Sequence, residues 1–257
     1  MRTRREFLGW TAGAAVLAGW REGTSGRFMF VFQNLGPAAL DGTPKGEDKI
    51  REVPEVLDHI LLGCSDLERG IVWVEERTGV KAAFGGVHPG RGTQNALLSL
   101  GERHYLEIIA PDPKQSGDER AGRLQKMTEL QLIGWAIHPG NLQEFATRLT
   151  KAGIATNNPT PGSRKRPDGI TLQWTTLSLK NDGDGALPFS IEWGAGTVHP
   201  SADAPKGCAL KKFWVESREA DELAQRYAAM GLSVEVKTGE KVRLRARIAG
   251  PKGETEL

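Results

Sequence analysis

Long apolar runs are missing from this chain of 257 residues. The early stretch Ala12-Gly-Ala-Ala-Val-Leu-Ala18 is far shorter than the roughly 20 residues a membrane helix needs, so no stable span is expected. Cysteine is nearly absent: Cys64 and Cys208 are the only two, too few to define a disulfide framework. Cys64 ends a strand pattern, and both are expected as free, buried thiols. Charge of one sign is lacking too. With 34 basic and 32 acidic residues the net charge is +2, so neither nucleic acid nor an acidic membrane is an expected partner. What is present is ordinary for a globular protein, 39% apolar and 26% charged, with 32 glycines that imply many turns between short strands.

The N-terminus reads as an address rather than part of the fold. Arg4 and Arg5 precede Phe7-Leu8 and the weakly apolar stretch ending at Ala18, a pattern similar to a twin-arginine export signal over residues 1–20. Export, to a periplasmic destination, is the expectation. Residues 21–53, rich in glycine, proline and charge, read as a linker in which Phe28-Met-Phe-Val-Phe32 could dock on the domain.

From Val53 onward one order recurs three times: a strand, a turn, an amphipathic helix ending at glycine, then further strands. The first helix carries Leu67, Ile71 and Val74 after the capping pair Ser65-Asp66 and stops near Gly79. The second carries Leu142, Phe145 and Leu149 and ends at Gly153; the third carries Leu223, Tyr227 and Met230 and ends at Gly231. Each unit reads as βαβββ, with its second strand weakly signalled. The expected class is α+β: two paired units over residues 54–200, and a third βαβββ-like unit over 207–257. Pairing two such units buries an apolar face and leaves a cleft.

Charged residues inside strand-like runs mark the chemistry. His59 lies in Leu57-Asp-His-Ile-Leu-Leu-Gly63, Glu107 in Tyr105-Leu-Glu-Ile-Ile109 and Glu192 in Phe189-Ser-Ile-Glu-Trp193. A carboxylate on a concave sheet face is costly unless a cation or donor satisfies it. An imidazole and two carboxylates suit a divalent metal with open positions; the plainer reading is buried carboxylates satisfied by arginines such as Arg91, Arg164 or Arg166. His88, in the glycine-rich Gly85-Gly-Val-His-Pro-Gly-Arg-Gly-Thr93, is a candidate substrate binder or acid/base. Thr93 and Asn95 alternate on one strand face and could donate or accept inward. Arg166, in the basic run Ser163-Arg-Lys-Arg166, could clamp a carboxylate at the cleft mouth. His199 could return to the cleft, and His138, at the start of the second helix, is expected to cap the turn.

These segments, in this order and spacing, resemble the vicinal oxygen chelate superfamily, in particular its glyoxalase-like branch. The residues that carry the resemblance are Leu57-Asp-His-Ile60, Ser65-Asp-Leu67, Gly85 through Asn95, Tyr105 through Asp112, Arg166-Pro-Asp-Gly169, Trp174 and Leu187 through Trp193. The resemblance implies metal ligands from the first and last strands of the paired units, here His59, Glu107 and Glu192. The fourth position falls on Gly134, or on Ile133 or Trp135 with a shift of one residue, and supplies no ligand.

Two functions follow from the resemblance. One is a metal-dependent lyase, isomerase or epimerase whose divalent ion chelates vicinal oxygens of a small substrate, with Glu107 or Glu192 moving a proton. The other is a metal-free protein that sequesters small compounds in the same cleft. The unpaired third unit gives a reason to expect a homodimer.

Overall fold

The computed structural model describes residues 51–182 and 184–257. The expected export signal, and the expected linker as far as residue 50, lie outside the described residues.

The first unit comprises β1 (Leu57–Gly63), α1 (Leu67–Thr78), β2 (Ala83–His88), β3 (Thr93–Ser99) and β4 (Tyr105–Pro111). Asp66 caps α1 by accepting from the Arg69 amide, and Gly79 ends it in the left-handed conformation at φ 83°. A short helix, α2 (Glu119–Gln125), leads to the second unit: β5 (Gln131–Ile137), α3 (Leu142–Lys151), β6 (Thr160–Lys165), β7 (Thr171–Leu177) and β8 (Phe189–Trp193). The weakly signalled second strands are both present. Asn141, not His138, caps α3 by accepting from the Glu144 amide; the His138 amide instead donates to the Val56 carbonyl.

The eight strands form one sheet in the order β2-β3-β4-β1-β5-β8-β7-β6. Within each unit the first and last strands pair parallel, and β1 meets β5 antiparallel at the junction. The sheet curls until its two edges approach, where Arg164 of β6 donates to the Gly85 carbonyl of β2. The result is a strand-rich, nearly barrel-like α+β fold.

Alternation sorts the side chains. Ile60, Leu62, Leu98, Leu106 and Ile108 face the helices and join one large core. His59, Asn95, Leu97, Tyr105 and Glu107 take the other face and are also buried. All seven residues of β1 are buried, so this strand is covered on both sides.

The C-terminal segment follows a short helix, α4 (Pro200–Asp203), and comprises β9 (Ala209–Ser217), α5 (Ala220–Ala229), β10 (Glu235–Thr238), β11 (Arg243–Gly250) and β12 (Gly253–Glu256). Its element order is βαβββ, but its strand order is β10-β9-β11-β12. Here the strand after the helix pairs parallel with the first strand, whereas in the other two units that place belongs to the last strand. The segment shares the main core through Phe213, 4.9 Å from Trp135 between ring centres. Tyr227 Oη and Trp135 Nε1 both donate to the Ala186 carbonyl, at 2.6 and 2.9 Å. The third unit thus finds its apolar partner within the chain, which removes the reason it gave for a dimer.

Candidate active site

The site starts at an irregularity in β1. Leu57 pairs with Ile137 and His59 with the adjacent Ala136, so two residues of β1 oppose one of β5, as in a bulge. Leu57 joins the helix-side core, while Asp58 and His59 engage partners on the concave side. Asp58 is 0% exposed. It accepts from His59 Nδ1 at 2.7 Å, Trp193 Nε1 at 3.0 Å and His199 Nε2 at 3.2 Å. Burial pushes its pKa up, but the hydrogen bonds and charges of His199 and His59 outweigh burial and hold the carboxyl well below its ordinary range.

An ionised Asp58 can only accept, so His59 Nδ1 carries a hydrogen and Nε2 is left facing Glu107, 3.6 Å from Oε2. Tyr105 stacks on the His59 ring with centres 4.5 Å apart. Glu107, on β4, is 8% exposed. Its Oε1 accepts from Asn95 Nδ2 at 2.7 Å and lies 3.7 Å from His88 Nε2. Burial raises the Glu107 pKa, yet the nearby His88 and His59, the Asn95 bond and Arg120 of α2 bring it below the ordinary value. His88 is shifted the other way by its setting: burial lowers its pKa, partly offset by Glu107. Its Nδ1 meets Thr93 Oγ1 at 2.9 Å. The floor of the concave sheet therefore holds an ionised carboxylate between two imidazoles, one of them fixed by a second buried carboxylate.

Beside this floor opens a cleft of about 210 Å³. Phe84, Gly85, Leu97, Leu172 and Pro167 line it, with Arg164 and Arg166 among them.

The structure brings His59, His88, Thr93, Asn95 and Glu107 together. It does not bring Glu192. On β8, Phe189 and Trp193 reach the concave side, where they meet His59 and Asp58. Glu192, one residue out of phase, turns to the helix side, where Oε2 accepts from the Leu142 amide at the start of α3, 2.9 Å away. The equivalence of Glu107 and Glu192 in sequence order thus fails in orientation. Arg166 does stand at the cleft, but it pairs with Asp168 at 2.8 Å and with Asp203 of α4. It ties the β6–β7 turn to α4 rather than presenting a free clamp.

The implied divalent metal does not fit these residues. Glu192 is on the wrong face, Gly134 offers no donor, and the Asn95 amide already engages Glu107. Among the described residues no group of three or more His, Cys, Asp or Glu side chains is arranged to hold a metal ion.

Several participants escape a sequence reading of single strands. Asp58 is hidden by the alternation rule, since a residue next to His59 should face away; only the bulge reverses this. His199, for which the sequence offered only a return toward the cleft, contacts both Asp58 and Ser201 from a loop distant in sequence. Arg164 sits in a strand whose Thr-Pro-Gly-Ser-Arg-Lys composition carries no apolar period. The one available sign was the expectation that a buried carboxylate needs an arginine nearby.

Two paired βαβββ units around a concave sheet with polar side chains at its floor define a small-molecule fold of the vicinal oxygen chelate type. The glyoxalase-like domain family matches residues 57–231, and the chain belongs to that family. No curated protein matches its sequence. Among solved structures it is similar to a hypothetical protein from Staphylococcus aureus, with 16% identity, 73% of this chain and 87% of that chain covered, and a TM-score of 0.59. A methylmalonyl-CoA epimerase from Mycobacterium tuberculosis matches with 19% identity over 55% of this chain and 89% of its own, at a TM-score of 0.40. A variant of the Streptomyces coelicolor methylmalonyl-CoA epimerase matches with 20% identity over 57% and 99%, at 0.41.

Proposed function

We propose that this chain is a proton-transfer enzyme that isomerises a small carbonyl compound with Glu107 as the base and without a resident metal. The observation that carries this reading is the placement of the Glu107 carboxylate between His59 Nε2 at 3.6 Å and His88 Nε2 at 3.7 Å. Its pKa lies below the ordinary value and it accepts from Asn95, so the carboxylate is ionised, and its burial shields it from bulk water, as a base for a carbon-bound proton requires. Glu107 takes a proton from the carbon next to a carbonyl. The electron pair moves onto the carbonyl oxygen, where the charge of Arg120 helps to hold it. Return of the proton to the other face of the carbon, or to the oxygen, completes an isomerisation with no co-reactant. Asp58 acts through His59, fixing which ring nitrogen faces Glu107, in the manner of a carboxylate that orients a histidine.

The test is hydrogen–deuterium exchange at carbon, followed by NMR in deuterated buffer, over a panel of small 2-oxo acids. Exchange by the wild-type protein that disappears in Glu107→Gln supports the reading. Exchange unaffected by that substitution defeats it. The incomplete ligand set, with Gly134 bare and Glu192 turned away, favours a second reading: a binder that holds such compounds without turning them over. Binding by thermal shift with no exchange on any panel member would select it.

Export belongs to this proposal as well, supported by Arg4, Arg5 and the small apolar residues that follow. Retention in the cytoplasm after replacing both arginines by lysine, against periplasmic recovery of the natural sequence, is the expected outcome.

A further inference from the structure

Arg164 is 3% exposed and lines the cleft. Nη1 donates to the Gly85 carbonyl, and among the described residues no carboxylate lies within ion-pair distance of the guanidinium. Arg166, two residues on, has two carboxylate partners. A buried cation beside a cleft without a matched anion is costly, and a ligand anion would relieve it.

A second group in the same place lacks a partner. Asn95 is 2% exposed, and its Oδ1 is buried without a hydrogen bond. The amide cannot turn over to hide this oxygen. Its nitrogen donates to the Glu107 carboxylate at 2.7 Å and meets His88 Nε2 at 3.3 Å, so a flip would set oxygen against an ionised carboxylate.

Gly85 joins the two. A Cβ there would come within 2.5 Å of Arg164 Nη1 and within 2.5 Å of Asn95 Oδ1. Both groups therefore pack against the bare backbone of Gly85, an approach that only glycine permits. At this corner of the cleft Arg164 offers charge and N–H donors, and Asn95 behind it a single acceptor. Leu97, Leu172, Pro167 and Phe84 make the adjoining cleft apolar.

We propose that this corner of the cleft binds small 2-hydroxycarboxylates with an apolar tail. The carboxylate pairs with the Arg164 guanidinium, the neighbouring hydroxyl donates to Asn95 Oδ1, and the tail lies along Leu97 and Leu172. A plain carboxylate leaves Asn95 Oδ1 unpaired, and a neutral alcohol leaves Arg164 without an anion. The enol of a 2-oxo acid carries the same two groups, so the proposal deepens the proton-transfer reading of this site.

The test is calorimetric titration of the full chain with 2-hydroxy-4-methylpentanoate, its methyl ester, and 4-methylpentanoate. The hydroxy acid is expected to bind, the hydroxyl-free acid about tenfold more weakly, and the ester at least about tenfold more weakly. Gly85→Ala should abolish binding by displacing Arg164 and Asn95, with which its methyl collides, and Arg164→Lys should weaken it while keeping the charge. The ligand series on the natural sequence needs no variant, so a misfolded mutant cannot obscure the result. Equal affinity for the ester or the hydroxyl-free acid, or no heat at about 10 mM hydroxy acid, overturns the proposal. Parallel measurements on the wild-type protein separate it from the catalytic reading. Hydroxy-acid binding without carbon exchange on 2-oxo acids upholds the ligand class and defeats the chemistry; exchange on 2-oxo acids without hydroxy-acid binding does the reverse.

Discussion

Replacing Asp58 by asparagine tests the polar floor of the concave sheet at its most buried point. The carboxylate accepts from three donors, His59 Nδ1, Trp193 Nε1 and His199 Nε2. Asparagine keeps one accepting oxygen and turns an amide nitrogen towards donors that need an acceptor. The loss of a charge-assisted bond is worth about 1.5–3 kcal/mol, and a buried donor left unpaired costs about 1–3 kcal/mol more. Relief from burying a charge offsets part of this. The depressed pKa shows that the partners outweigh burial, so the net effect is destabilising by about 2–4 kcal/mol. For a folded region of this size that lowers Tm by roughly 4–16 °C. Thermal unfolding measures it, and nitrogen-15 NMR of the histidine rings reads a further consequence: the His59 Nδ1–H tautomer should lose its dominance. A variant as stable as wild type, with the His59 tautomer unchanged, would refute the reasoning.

Glu192→Ala removes the acceptor for the Leu142 amide and should cost about 0.5–1 kcal/mol in urea unfolding, with carbon exchange and ligand binding within twofold of wild type; a loss as deep as that of Glu107→Gln would place Glu192 in the site after all. The Glu107 pKa lies below its ordinary 4.5, so the acid limb of kcat/KM is expected below pH 4.5, and a limb near 6.5 would assign the base to a histidine instead. Stability should fall with acid in two stages, followed by urea midpoints against pH. Burial keeps His88 neutral and its folded pKa under 6.5, so its contribution is present above 6.5 and lost below; the depressed Asp58 and Glu107 contribute above about pH 4 and lose it as pH falls through their folded values. Trp135→Ala, at the contact of the third unit with the main sheet, should cost about 3–5 kcal/mol and unfold both regions in one transition, and two separate transitions would show that they do not share a core.

Much of the fold was legible because its signals are local. Helix periods, capping residues and terminal glycines lie within a few residues of one another, and Asp66, Gly79 and Gly153 act in the structure as such residues should. The second strands, β2 and β6, were faint because they are edges, where Gly-Gly and Thr-Pro-Gly replace an apolar alternation. Strand order in the third unit was not legible, since βαβββ describes sequence order and says nothing of which strands pair. At the site, His59, His88, Thr93, Asn95 and Glu107 were accessible to alternation within single strands. Alternation fails by one residue at Asp58, where the bulge adds a side chain to the concave face, and at Glu192, whose phase on β8 is set by Phe189 and Trp193. Arg164 and His199 were named as candidates, but their partners, Gly85 and Asp58, depend on edge closure and a long loop, which local sequence does not carry.

The most direct measurement is deuterium incorporation at C3 of 4-methyl-2-oxopentanoate by protein exhaustively treated with chelator, in wild type and in Glu107→Gln. The account predicts that chelation leaves wild-type exchange unchanged and that the substitution lowers it by about 100-fold or more. Exchange that appears only when a divalent metal is restored, or that persists in Glu107→Gln, would contradict it.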